Sequence, residues 1–190
     1  PSPQLAGVQV AWDARVTGVA GTTSVVTGSG NDNISASSAT GNVTVNAGGG
    51  TNTVNTGRGN DRVTLGAGTD TVSTGAGNDS VLGTVTAGDR VLLGDGNDDI
   101  SIPATAVNVT VDGEGGRDTL NYAGATAMGI DFGAADQNGS AAGTWRNFEN
   151  LNATNATAGL TVRAGAATAI LSTGSGNDSR RISSPTKPFL

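Results

Sequence analysis

Through the middle of the chain, apolar side chains arrive singly, one every ninth residue. Residues 56–82 read TGRGNDRVT, LGAGTDTVS, TGAGNDSVL, with Val63, Val72 and Val81 at place 8 of each line. Polar β-formers flank each Val, so the last three residues of a line predict a very short strand. Gly at places 2 and 4 lets the backbone turn through positive φ. One line is therefore a turn plus a strand, half of a coil.

The frame extends in both directions. Upstream lie 47–55, 36–44 and 27–35, with Val45 and Asn46 as extra residues. Downstream lie 84–92, 93–101, 102–110 and 113–121, with one extra residue before the first and two before the last. Two lines make a coil of about 18 residues with strands on opposite faces. Place-8 residues then stack inward from coil to coil. One ladder is expected to be Ile34, Val54, Val72, Val91, Val109, and the facing one Val43, Val63, Val81, Ile100, Leu120. Each such side chain is worth roughly 1.5–3 kcal/mol on burial. The expected class is all-β, a parallel β-helix solenoid.

Composition supports an array of small side chains over a conventional layered core. Gly accounts for 31 of 190 residues and aromatics for 3%. Val and Thr are too abundant for a disordered chain. The net charge of −6 argues against a nucleic-acid partner. No run is long enough to span a bilayer. His and Cys are both absent, which removes His-based acid–base work, thiol nucleophiles, disulfides and zinc-type sites.

The acidic residues form columns. On one edge place 6 holds Asp61, Asp79, Asp98 and Asp118; on the other it holds Asp32, Asn52, Asp70 and Asp89. Coils stack about 4.8 Å apart, so these carboxylates repel unless a cation lies between them. No Lys or Arg recurs at a matching place. A hard divalent ion with oxygen ligands fits, and calcium is the first choice. Asn31, Asn60, Asn78 and Asn97 at place 5 are expected to brace the turns.

These lines resemble the RTX (repeat-in-toxin) nonapeptide G-G-x-G-x-D-x-U-x. The resemblance covers about 27–121 and again TGSGND at 173–178. It implies a right-handed parallel β-roll holding several calcium ions. Each ion would sit between turns two lines apart, on the place-6 Asp and the backbone carbonyls of places 1 and 3. Carried over, one site joins Thr56, Arg58 and Asp61 to Thr74, Ala76 and Asp79. The next adds Leu93, Asp95 and Asp98, and a third reaches Gly113, Gly115 and Asp118. On the other edge Leu65 and Ala67 serve the Asp70 turn, with Asp32, Asn52 and Asp89 in the same column. Asp178 is an outlying candidate. The chain departs from the family at place 1, where Thr or Leu stands for Gly, and in the 84–89 turn, which lacks both glycines.

The remaining segments divide as follows. Residues 1–26 are expected to cap or start the roll, which spans 27–121. Residues 122–172 break the period and carry Tyr122, Met128, Phe132, Trp145 and Phe148; they are expected to form an irregular segment and further strands, a cap or packed loop. Residues 173–190 hold the isolated turn and a basic tail outside the pattern. By resemblance the chain is a non-enzymatic calcium-binding structural module of a secreted bacterial surface protein, such as a surface layer or adhesin. Its expected partners are calcium ions, copies of itself or neighbouring surface proteins. The alternative is the accessory roll of an exported hydrolase whose catalytic domain lies elsewhere.

Overall fold

The computed structural model describes residues 13–15, 20–103, 108–125, 128–132, 134–137, 143–165 and 170–182. These residues form strands and turns without a helix, wound into a β-solenoid of about seven turns with about 20 residues in each. Every strand pairing is parallel. The first sheet stacks Asp13–Arg15, Asn33–Ser35, Thr53–Arg58, Thr71–Ala76, Arg90–Gly96, Val109–Asp112 and Gly143–Arg146 in that order. The second stacks Thr23–Val26, Val43–Gly48, Arg62–Leu65, Ser80–Gly83, Asp99–Ile102, Thr119–Tyr122, Asn150–Ala153 and Ile170–Thr173. A third, smaller sheet contains Met128–Asp131, Leu160–Ala164 and Ser179–Ile182.

The place-8 ladders are present, with one correction in each. Ile34, Val54, Val72 and Val91 align in register, but the next rung is Val111 and not Val109, followed by Trp145. Across the core, Val25 and Val45 lead to Val63, Val81, Ile100, Leu120 and Leu151; Val43 is not a rung. Both corrections have one cause. In each Val-Thr-Val segment, two valines of period 2 face inward, and the second one carries the ladder. The two extra residues therefore fall before these strands, not after them.

The core is also wider than one residue per line. Place 1 of each following line lies two residues beyond place 8 and points the same way. Thr56, Leu65, Thr74 and Leu93 are all buried. This explains Thr and Leu where the consensus has Gly: the strands of the first sheet run on through place 3, as in Thr53–Arg58 and Thr71–Ala76. Continuing the strand buries apolar area that a bare Gly would not supply.

The period break at 122–151 is an enlarged coil rather than an interruption. Strand 119–122 is followed by Met128–Asp131 and Gly143–Arg146 before the chain rejoins the second sheet at Asn150. Trp145, Tyr122 and Phe148 sit fully inside the core. The Gln137 side chain clamps the coil, donating to the Phe148 carbonyl at 3.0 Å and accepting the Phe148 N–H at 3.1 Å.

Candidate metal centre

The place-6 side chains make two ladders that run through the repeat block. On the first edge, the backbone N–H of Val43 donates to Asp61 Oδ1, Asp61 to Asp79, Asp79 to Asp98, and Asp98 to Asp118, at 2.7–2.9 Å. On the second edge, Asp32 donates to Asn52 Oδ1, Asn52 to Asp70, and Asp70 to Asp89. Each carboxylate thus reaches back to the coil before it. Place-5 amides reach the other way: Asn60 N–H donates to Asn42 Oδ1, Asn78 to Asn60, Asn97 to Asn78, and Arg117 to Asn97. The turns are stitched by two ladders of opposite sense. Asn42 was missed in the sequence because the extra residues were placed too late. Gly41-Asn42 matches Gly59-Asn60, which was a usable signal.

One oxygen of each carboxylate is engaged in its ladder; the other is the informative one. Asp61, Asp70, Asp79, Asp98 and Asp118 are all buried, and the Oδ2 of each has no hydrogen-bond partner. A buried, unmatched carboxylate oxygen is costly. Among the described residues the one ion pair is Arg163–Asp131, which involves neither column. The donor set is therefore all oxygen and anionic, with no ion pair to it among the described residues, which suits calcium.

Backbone carbonyls at places 1 and 3 lie beside the first column, on the first-sheet strands. Thr56 Oγ donates to the Thr74 carbonyl at 2.9 Å, and Thr74 Oγ to the Leu93 carbonyl at 2.6 Å. The carbonyls of Ala76 and Asp95 accept Gly59 and Gly77 N–H, and on the second edge that of Ala67 accepts Gly50 N–H. Each keeps a second lone pair that could ligate an ion. Arg58 and Leu65 occupy the equivalent strand ends. Among the described residues no three acidic side chains converge as a preformed cluster. The pattern is a column, one carboxylate per coil, with backbone oxygens between.

Three predicted residues differ from the rest. Asp89 has both oxygens engaged, because Oδ2 accepts Thr86 N–H at 2.7 Å within the glycine-poor turn. Asn52 contributes an oxygen but leaves a buried Nδ2 without a partner. Asp178 accepts Leu160 N–H at 2.9 Å, so it repeats the ladder bond, but just ahead of a third-sheet strand and outside both columns. The reframed lines put Val43 and Val109 at place 6, so the columns end there against apolar side chains.

Burial pushes the Asp carboxyls up. Asp70 and Asp98 rise to about 6 and Asp118 to about 7. In each case burial is the main cause, a backbone N–H opposes it, and neighbouring carboxylates add to it. Asp61 and Asp79 are raised for the same leading reason, burial. At Asp61 the Thr56 hydroxyl and the Val43 N–H oppose that rise. The metal-free fold thus binds protons more tightly than the unfolded chain, in which Asp titrates near 3.8. Its stability must rise as pH falls from about 7 towards 4, while calcium binding weakens. Strand signal of calcium-free protein by circular dichroism at about pH 7.5 and about pH 5 checks this; a signal equal or weaker at the acid pH would contradict it.

Fold and site together define a parallel β-solenoid whose turns carry stacked carboxylates. The model of the RTX calcium-binding nonapeptide repeat, four copies, matches residues 26–63 and 46–81. Residues 26–81 therefore carry RTX calcium-binding repeats, and calcium is the ion that such repeats bind. Asp89, Asp98 and Asp118 lie beyond the matched segment, yet they continue the same two ladders. No curated protein and no solved structure matches the chain.

Proposed function

We propose that this chain is a calcium-locked structural module of a secreted bacterial surface protein, such as a surface layer, an adhesin or another self-assembling extracellular structure. One observation carries the reading: a column of buried carboxylates, each with an unmatched oxygen, and none of them in an ion pair among the described residues. Where calcium is scarce, these carboxylates repel and the coil is held open. Where calcium is at millimolar level, ions fill the turns, and their binding free energy becomes folding free energy. Such a chain is exportable when loose and rigid once outside. The absence of His and Cys from the sequence agrees with a structural role over a catalytic one.

The test is a calcium titration of chelator-treated protein, followed by far-UV circular dichroism and sedimentation together. Strand signal gained at constant monomer size supports a calcium-folded module. Strand signal gained with growth into large particles supports a self-assembling surface subunit. Full strand signal in chelator, unchanged by calcium, would overturn the proposal.

A further inference from the structure

The repeat ends at residue 121, but the carboxylate ladder takes one more step. Asp118 N–H donates to Glu149 Oε2 at 2.9 Å, across 31 residues. This is the bond that Asp61, Asp79 and Asp98 each make to the next Asp. Glu149 belongs to the enlarged coil and lies two residues before Leu151, the rung that follows Leu120. It holds place 6 of a line that the nonapeptide pattern does not recognise.

The space beside it is built. Asp118 is fully buried; Oδ1 accepts Asp98 N–H at 2.9 Å and Oδ2 has no partner. That Oδ2 faces Gly113. A side-chain carbon on Gly113 would lie 2.5 Å from it and collide with the Asn147 carbonyl. A carboxylate oxygen and a backbone oxygen thus converge on a gap that only glycine leaves open. The walls are fixed by Gly113 N–H donating to the Arg146 carbonyl at 3.0 Å and by Asn147 Nδ2 donating to Asp112 Oδ1 at 2.6 Å. Arg146 is the register partner of Asp112, but it forms no ion pair within the described residues.

We propose that Asp118 and Glu149, with the Asn147 carbonyl, hold a further calcium ion that ties the repeat block to the enlarged coil. The inference rests on the reading that the Asp columns bind calcium. A bidentate-capable glutamate closing a stack of oxygen ligands suits calcium, whose coordination number is high and flexible. Asp112 adds negative charge at the rim. The ion replaces the next Asp turn, which the sequence does not supply, and so ends the column without leaving Asp118 Oδ2 unmatched.

The experiment uses the full chain and two probes. Calcium is counted by equilibrium dialysis, and terbium in the same sites is read by emission sensitised through tryptophan. Trp145 is buried four residues from Glu149, and Trp12 is the other donor. Glu149→Gln keeps an oxygen to accept the Asp118 N–H but removes the charge. It is expected to bind one calcium fewer than wild type and to lose most of the sensitised emission. Asp61→Asn, at the far end of the column, is expected to keep that emission. An unchanged calcium count and unchanged emission in Glu149→Gln would overturn the inference and leave the columns standing. No calcium on the wild-type chain would overturn the columns themselves. Should Glu149→Gln fail to fold, Trp12→Phe decides: persisting emission comes from Trp145 and places an ion beside it, and vanished emission overturns the site.

Discussion

Replacing Asp79 with alanine is expected to strip calcium from two sites at once and to lower stability in calcium by roughly 3 kcal/mol or more. Asp79 stands between Asp61 and Asp98 and would serve the ion on either side. Its Oδ1 accepts the Asp61 N–H at 2.7 Å, and its Oδ2 is buried and unmatched. Truncation leaves that N–H without an acceptor, at about 1–3 kcal/mol. It also removes ion binding, which at 100 times Kd stabilises by about 2.7 kcal/mol per site. Asp79→Asn separates the two effects. It keeps an acceptor for Asp61 and loses the charge. Without calcium it should show more strand signal than wild type, because the repulsion from Asp61 is gone. With calcium it should melt lower. Calcium counts, strand signal in chelator and melting curves in calcium check both. An Asp79→Ala chain that binds as much calcium as wild type would refute the assignment of this edge.

Gly75→Ala should be nearly as damaging, for a reason that has nothing to do with charge. Gly75 has φ 105°, a conformation that costs an L-residue roughly 1–2 kcal/mol. A Cβ there would run into the Gly57 carbonyl oxygen and lie 2.9 Å from its carbon. Both atoms are backbone in a paired strand, so neither can yield. A loss of about 3 kcal/mol is expected in calcium, seen as a lower melting temperature. Gly49→Ala is the matched control. Its φ is ordinary for any residue, and its Cβ would meet only the Ala67 oxygen, at 3.4 Å. That variant should melt close to wild type. Equal losses from both variants would show that coil spacing is not set by backbone contact at Gly75.

The period of nine was legible because three well-formed lines in a row fix place 6 and place 8 together. The Asp columns and the rungs Val54, Val72 and Val91 followed from it. The frame failed where one line had two valines of period 2. Val43 and Val109 met the apolar rule first, yet Val45 and Val111 carry the ladder. Asn42 ahead of Val43 was the discriminating residue, since the amide ladder requires it at place 5. Place 1 departs from the family's Gly; the structure makes it a second inward position, which is why Thr56 and Leu93 are buried. Glu149 was hidden because its line has Phe148 in place of Asn and no glycines. Anchoring on Leu151 would have found it. The unmatched Oδ2 atoms were not legible at all, since burial depends on coil stacking that no single line encodes.

The most direct measurement is a calcium count on the wild-type chain by equilibrium dialysis, made alongside its strand signal. Several ions per chain, bound as the strand signal appears and lost with it in chelator, is the predicted result. A chain with full strand signal that binds no calcium would contradict the account and leave the carboxylate columns as a metal-free, proton-stabilised ladder.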